Sequence, residues 1–176
     1  MIRKKEKKNF RIEVINLNES YKLDERFLRN LIAKILKLLM RPQNPWLEII
    51  FLSDKAIKDL NKRYKNRDQA TDVLSFRLDL PACRQIHTGR RGTEGAGDSA
   101  FFGEILISSN TAFRNSKVFK TGFGQELVLY VIHGILHLFG YDDKKQEDRR
   151  GMREKEQELL SRLCRSGDLS RVSMTR

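Results

Sequence analysis

The feature that most constrains this chain is a strongly apolar stretch, residues 125–139, that carries two histidines four positions apart. The stretch is too short to cross a bilayer, which takes about 20 consecutive apolar residues. Its apolar residues are not confined to one stripe, so we expect a helix that is buried through most of its length. Gly140 follows, and glycine accepts the left-handed conformation that commonly ends a helix. The fold must therefore enclose this helix and the two imidazoles on it.

The two histidines indicate a metal site. His133 and His137 lie one turn apart on the same helix face, where two imidazoles can bind one transition-metal ion. Asp143, three residues after Gly140, can return to the same ion as a third ligand, and a one-residue slip would offer Asp142 instead. Three protein ligands with an open fourth position are typical of catalytic sites, in which bound water becomes a nucleophile. The alternative is a pair of core histidines hydrogen-bonded to polar neighbours, but buried neutral imidazoles are costly without partners.

The residue after the first histidine helps to distinguish between a peptide and a phosphodiester as the substrate. The spacing H-x-x-x-H-x-x-G-x-x-D is that of metzincin-type zinc proteases, which carry a glutamate directly after the first histidine as general base. Here that position is Gly134, which has no side chain to move a proton. A phosphodiester substrate fits this difference, and it also fits the basic charge of the chain.

The charge balance favours an anionic partner. The 176 residues include 35 Lys+Arg and 23 Asp+Glu, a formal net charge of +12, which makes nucleic acid or an anionic membrane surface the first partner to consider.

The cysteines and the N-terminus indicate the cellular location. Cys83 and Cys164 are single and far apart, so they match neither a disulfide framework nor a CxxC metal site, and a reducing cytosol is the simpler interpretation. The charged N-terminus lacks the apolar segment of a signal peptide. We expect a cytoplasmic protein that does not enter a membrane.

The chain length suits one domain. Alternating or β-rich apolar runs predict four strands, at 10–16, 46–52 (a central strand), 72–76 and 101–108. Helical spacing and capping residues predict five helices, from Asp24 to about 40, after Ser53, and at 110–119, 125–139 and 145–163. We therefore predict an α+β fold, a small mixed sheet packed with helices, with the histidines on one long buried helix. The domain spans 10–164 with a loop or insertion at 78–100, between a basic N-terminal arm at 1–9 and a disordered tail at 165–176.

Residues 133–143 resemble the signature of the YbeY family of metal-dependent, single-strand-specific endoribonucleases of ribosomal RNA maturation. The family pattern is H-G-x-L-H-L-x-G-Y-D-H, and every fixed position matches except the last, which is Asp143 here. Two further blocks, L-N-x-x-Y with T-D-V-L-S-F within 60–76 and G-E-I at 103–105, are similar to family blocks in the same order. Met152 and Glu156 fall where the family's C-terminal helix has them. The resemblance implies a small α+β fold that binds a zinc-like ion through three side chains, a ribosomal setting, and a bacterial or organellar origin.

Three positions depart from the family pattern. Asp143 replaces a third histidine; aspartate also binds metals, but its charge should make the ion less electrophilic, and its hardness should make manganese more competitive with zinc. Lys65 stands where the family has arginine, which keeps a positive charge for a phosphate but loses the bidentate fork. Arg77 stands where the family has proline. A member with weakened or lost catalysis therefore stays open as an alternative.

We predict a cytoplasmic, metal-dependent endoribonuclease of late ribosomal RNA maturation, such as processing of the 16S rRNA 3′ end, and of ribosome quality control. Its metal ligands are His133, His137 and Asp143, holding one zinc ion per chain or manganese or another divalent metal. The predicted catalytic residues are Lys65, His133 and His137, where Lys65 stabilises charge on the phosphate. Lys65, Arg63 and Arg67 are predicted to bind the substrate along a phosphate path.

The predicted partners are ribosomal RNA and ribosomal subunits, with no membrane and no small-molecule cofactor. The alternatives are a ribosome- or RNA-binding factor of the same fold and another zinc metallohydrolase, such as a protease. Three further residues are weaker candidates. Asp72 either hydrogen-bonds a metal-bound histidine or caps a loop, and Glu104 either approaches the site or is solvated on its strand. His87, alone in the glycine-rich loop, is expected to be ordinary surface.

Overall fold

The computed structural model describes residues 11–39, 46–77 and 101–165, together with residues 169 and 172. Within these residues the chain forms four strands: β1 (Arg11–Asn16), β2 (Trp46–Leu52), β3 (Val73–Arg77) and β4 (Phe101–Ser108). The same residues form five helices: α1 (Glu25–Leu38), α2 (Asp54–Lys65), α3 (Ser109–Val118), α4 (Phe123–Leu138) and α5 (Gln146–Arg165). The predicted elements are therefore all present, with ends that differ by at most two residues.

The four strands form one mixed sheet in the order β1-β2-β4-β3. β1 and β2 are parallel, and so are β2 and β4, whereas β3 runs antiparallel to β4. This topology confirms the predicted α+β class and the central place of residues 46–52. Parallel neighbours need crossover connections, which α1 supplies between β1 and β2.

One face of the sheet carries the main core, and α4 lies against it. Alternate residues of the central strands, such as Ile49 and Ile105, are fully buried and belong to the same cluster as Ile132 and Ile135 of α4. The opposite face holds a smaller cluster beneath α2, centred on Ile57. The sequence prediction of a long buried helix is thus confirmed for α4.

Side-chain caps begin the first two helices where the sequence predicts them. Asp24 accepts a hydrogen bond from the Phe27 amide at 2.9 Å, and Ser53 accepts one from the Ala56 amide at 3.3 Å. Such caps satisfy amide donors that have no partner within the helix.

Asp54 ties the start of α2 to α3. Its carboxylate accepts hydrogen bonds from Ser108 Oγ at 2.5 Å and Thr111 Oγ1 at 2.9 Å, and it pairs with the Arg114 guanidinium. Burial raises the pKa of Asp54, but the hydrogen bonds from Arg114, Ser108 and Thr111 outweigh it, so the pKa is lowered overall. The ionised carboxylate therefore stabilises the contact between the two helices.

Of the predicted C-terminal tail, the structure describes residues 165, 169 and 172. Helix α5 continues to Arg165, one residue past the predicted domain boundary. Val172 is 8% exposed, and Leu169 packs against the main core. Gly124 of α4 has no side chain, which lets the Val172 carbonyl approach. The other residues of the predicted tail lie outside the described residues, so its disorder stays a prediction. The predicted arm at 1–9 and insertion at 78–100 lie outside the described residues.

Among the described helices, none is both long enough and apolar enough to cross a membrane.

Candidate metal centre

The turn after α4 brings the third predicted ligand back to the histidines. Gly140 has a φ of +90°, and its amide donates to the His137 carbonyl at 3.0 Å. The Tyr141 amide donates to the Leu136 carbonyl, also at 3.0 Å. These two bonds form a Schellman motif, which requires a left-handed residue at the position of Gly140. The chain reverses there, as the sequence predicts, and Asp143 returns to the helix face.

The three predicted ligands lie around one point. One ligand atom from each of His133, His137 and Asp143 lies within 4.8 Å of the other two, and the three side chains are partly buried. The two histidine Nε2 atoms are 3.1 Å apart. Two imidazole nitrogens that bind one tetrahedral zinc ion at 2.0–2.1 Å lie about 3.3 Å apart. The spacing of the donor atoms therefore fits a single tetrahedral metal ion.

The hydrogen bonds on the far side of each imidazole determine where its proton lies. His133 Nδ1 is 2.7 Å from Glu156 Oε1, and His137 Nδ1 is 3.0 Å from the Tyr141 carbonyl oxygen. Both partners accept, so each Nδ1 carries a proton and each neutral ring has its lone pair on Nε2. The two lone pairs then face each other, which calls for a cation between them. Metal-binding histidines commonly donate their second N–H to a carboxylate or a carbonyl in this way.

This arrangement bears on the two interpretations of the histidine pair. Core histidines would satisfy both ring nitrogens with protein groups. Here each Nδ1 faces a protein acceptor, and the two Nε2 atoms converge at 3.1 Å, a distance that either a shared proton or a metal ion between them would allow. A ligand atom of Asp143 lies beside the same two nitrogens, which a metal ion would use and a hydrogen-bonded pair would not need. The geometry thus favours a metal site over a hydrogen-bonded core pair.

The electrostatic environment differs between the two rings. Burial lowers the pKa of His133, but the hydrogen bond and charge of Glu156 outweigh burial and raise the pKa overall. Burial lowers the pKa of His137, and so does the nearby His133. The charge of Lys65, which lines the same cleft as both histidines, also lowers it. His137 is thus held in the neutral form that a metal requires.

The two adjacent aspartates have different partners. Asp142 Oδ1 accepts from the Asp143 amide at 2.9 Å, and Asp142 Oδ2 lies 3.3 Å from Lys144 Nζ. The amide hydrogen bond and the contact with Lys144 lower the pKa of Asp142. Asp142 therefore shapes the turn, while Asp143 joins the histidines. Of the two positions that the sequence leaves open, the structure brings Asp143 to the ligand group.

Gly134 faces the sheet rather than the metal-binding group. A Cβ atom at this position would lie 2.5 Å from Ile105 Cγ2 and 3.2 Å from Ser75 Oγ. Those distances leave no room for a glutamate, so the general base of a metzincin-type protease cannot stand here without a shift of α4.

The predicted cationic residues are not all at the site. Lys65 and Arg67 line a cleft of about 760 Å³ together with both histidines and Asp143, and Arg77 lines it as well. Arg63 does not line this cleft; its guanidinium lies 5.6 Å from the centre of the Tyr64 ring. The prediction that Arg63 lines the phosphate path is therefore not supported by its position.

Of the three weaker candidates, one lines the cleft, one lies elsewhere and one is outside the described residues. Asp72 lines the cleft, and its Oδ1 accepts from Thr71 Oγ1 and the Val73 amide, so it caps the start of β3. Glu104 lines a separate cavity near Tyr64, on the other face of the sheet. His87 lies outside the described residues.

Sequence reasoning missed the role of one residue. Glu156 of α5 comes within hydrogen-bonding distance of His133, and its side chain is only 14% exposed. In the sequence, Glu156 is notable only because it falls where the C-terminal helix of the YbeY family has a glutamate. Nothing in the spacing indicates the contact, because it joins residues 23 positions apart.

Three candidate ligands would leave a coordination position open on a bound ion, and this arrangement in a cationic cleft is typical of metal-dependent hydrolases with anionic substrates. The family model described as endoribonuclease YbeY matches residues 13–164. The chain belongs to this family, as the sequence signature predicts.

Individual relatives agree with the family match. A protein named endoribonuclease YbeY from Desulforamulus reducens is 36% identical over 154 residues, which are 85% of this chain and 95% of that protein. One of the same name from Anaeromyxobacter dehalogenans is 40% identical over 134 residues, which are 76% of this chain and 62% of that protein. The solution structure of a Thermotoga maritima protein, 25% identical, matches with a TM-score of 0.58 over 90% of this chain and 95% of that one.

Proposed function

We propose that this chain is a metal-dependent endoribonuclease that cuts single-stranded RNA during late ribosomal RNA maturation, including processing of the 16S rRNA 3′ end, and during ribosome quality control. Its family membership makes it an endoribonuclease. The observation that carries the proposal is the convergence of two histidine Nε2 atoms, 3.1 Å apart, beside Asp143 in a cleft lined by Lys65 and Arg67.

The proposed cofactor is one zinc ion per chain, with manganese or another divalent ion as an alternative. His133, His137 and Asp143 would hold it, and Glu156 and the Tyr141 carbonyl would fix the two rings. When bound, such an ion supplies Lewis acidity at a phosphodiester oxygen and lowers the pKa of water. The carboxylate of Asp143 adds a negative charge that a histidine would not, which increases the affinity for harder ions such as manganese.

The residues of the chain itself would bind and orient the substrate. Lys65 lines the same cleft as His133, His137 and Asp143, so its ammonium group would contact a phosphate held at the ligand group. Arg67 and Arg77 line the same cleft and can hold neighbouring phosphates of the strand. Phosphate contacts of this kind bind without regard to base sequence.

The alternatives are not favoured. A protease of the metzincin type needs a glutamate at position 134, and Ile105 occupies that space. A binding factor without catalysis would not need the converging ligand atoms or the hydrogen bonds that orient the rings.

The proposed partners are ribosomal RNA and ribosomal subunits, and the proposed location is the cytoplasm. A formal net charge of +12 supports a polyanionic partner, since cationic surfaces bind nucleic acid through its phosphates.

The test is cleavage of a circular single-stranded RNA, which distinguishes an endonuclease from an exonuclease. We expect the wild-type chain to convert the circle into linear products, and His133→Ala and His137→Ala each to lose at least about 100-fold of that rate, as for the loss of a group that acts on the reacting phosphate. His87→Ala, which changes the third histidine of the chain, is the matched control and should keep the wild-type rate. Circles left intact by the wild-type chain, wild-type cleavage rates in His133→Ala and His137→Ala, or casein cleavage without RNA cleavage would refute the proposal.

A further inference from the structure

A second cavity opens on the α5 side of the metal-binding group. It has a volume of about 310 Å³ and is lined by His133, Asp143, Arg149, Met152, Arg153 and Glu156. It shares His133 and Asp143 with the cleft that contains Lys65 and Arg67. The metal-binding group therefore lies where two cavities meet, one bounded by α2 and β3 and the other by α5.

Two arginines form the outer wall of this second cavity. Arg149 Nε donates to the Asp143 carbonyl oxygen at 3.1 Å, which places its guanidinium beside the ligand loop. Arg153 follows one helical turn later, about 6 Å along the axis. Met152 lies between them in the sequence and is buried, and Glu156 of the next turn reaches inward to His133. The two guanidinium groups thus flank the residues that support the metal ligands.

Acidic residues line the second cavity as well, namely Asp143 and Glu156, but neither arginine is held in a salt bridge by them. Within the described parts of the chain, neither Arg149 nor Arg153 forms an ion pair, whereas the adjacent Arg150 pairs with Glu154 at 3.0 Å. A further groove continues outward along α5 past Arg149 and Arg153, and four basic residues line it against two acidic ones, Glu147 and Glu154. Unpaired guanidinium groups that line a groove are suited to bidentate contacts with phosphate.

We propose that Arg149 and Arg153 bind phosphates of the RNA strand on the α5 side of the scissile bond. The strand then crosses the metal-binding group between two basic walls, Lys65 and Arg67 on one side and the two α5 arginines on the other. This inference rests on the proposed function, because it names how the same site holds its single-stranded substrate.

The test measures binding rather than cleavage. The full chain is titrated, in buffer with EDTA, into a fluorescein-labelled 12-nucleotide oligouridylate. Fluorescence anisotropy then gives the association constant at KCl concentrations from 50 to 200 mM. Removing one phosphate contact should reduce the slope of log K against log salt by about 0.7 for a single strand. We expect Arg153→Ser to reduce the slope by about 0.7, and Arg149→Ser with Arg153→Ser to reduce it by about 1.4.

A matched control removes the same charge from the same helix. Arg162 pairs with Glu158, and neither Arg162 nor Arg165 lines the two cavities at the metal-binding group. Arg162→Ser with Arg165→Ser should keep the wild-type slope. An unchanged slope in the α5 wall variants, or an equal change in the control, would overturn the inference. Wild-type protein that cleaves no RNA would instead refute the proposed function, so the two failures are distinguishable.

Discussion

Replacing Gly134 with alanine tests whether the close approach of α4 to the sheet excludes any side chain at this position. The new Cβ would lie 2.5 Å from Ile105 Cγ2, and 3.2 Å from both Ile105 Cδ1 and Ser75 Oγ. Ile105 is fully buried in the central strand β4 and cannot rotate into solvent. Either Ile105 or α4 must therefore shift, and a shift of α4 would move the adjacent His133.

The expected magnitude follows from two opposing effects. Replacing glycine with alanine inside a helix raises the free energy of unfolding by about 1 kcal/mol. Overpacking of a buried site costs about 1–3 kcal/mol, and a contact of 2.5 Å with a branched carbon belongs at the upper end of that range. We expect Gly134→Ala to lower the free energy of unfolding by about 1–2 kcal/mol. For a domain of this size that corresponds to a fall in Tm of about 2–8 °C.

Urea denaturation of paired glycine variants provides the assay. A Cβ atom at Gly151 of α5 would meet nothing within 4 Å, so Gly151→Ala should stabilise the protein by about 1 kcal/mol. Adding Ile105→Ala to Gly134→Ala should cost less than the sum of the single changes, since the two residues are in contact. If Gly134→Ala stabilises the protein as much as Gly151→Ala does, α4 is not packed against Ile105 as tightly as described.

Three other changes test the site and its support. Glu156→Gln should weaken metal affinity by about 10–100-fold while exposed Glu154→Gln leaves it unchanged, measured by competition with a chelating dye. Asp143→Ala should weaken metal retention far more than Asp142→Ala; equal effects in elemental analysis would place the third ligand elsewhere. Although burial raises the pKa of Asp54, its hydrogen bonds to α3 lower it overall from 3.8, so this carboxylate stabilises the fold above pH 3.8 and loses that contribution as the pH falls through its folded pKa. The stability difference between wild type and Asp54→Asn in urea should therefore shrink from pH 7 to pH 3, and a constant difference would contradict the assignment.

Local patterns allowed most of the elements to be predicted. Asp24 and Ser53 cap their helices as expected because an N-terminal cap depends on residues within one turn. The ligand group was predictable for the same reason. His133, His137 and Asp143 lie within 11 residues of one helix and its turn, and Gly140 adopts the conformation that its residue type favours.

Features that depend on how distant elements pack were not predictable. The contact of Glu156 with His133 requires α5 to dock on α4, and no local pattern specifies that docking. Arg63 does not line the cleft that Lys65 lines, because residues two apart on a helix project about 200° from each other. Lys65 therefore faces the cleft while Arg63 lies over Tyr64.

The basic wall on α5 was missed for a related reason. Arg149 and Arg153 belong to a strongly charged helix, and charges on such a helix usually face solvent. Only the placement of α5 beside the ligand loop shows that these two arginines border the site.

The most direct test of the central claim is the metal content of protein purified without a histidine tag and without added metal. Elemental analysis should find about one zinc or manganese ion per chain in the wild type, since three ligands with an open position hold a single ion. His133→Ala and His137→Ala should contain almost none while keeping the far-ultraviolet circular dichroism of the folded chain. Wild-type metal content in either variant, or a wild-type chain that binds no metal after loading with zinc or manganese, would contradict the metal centre proposed for His133, His137 and Asp143.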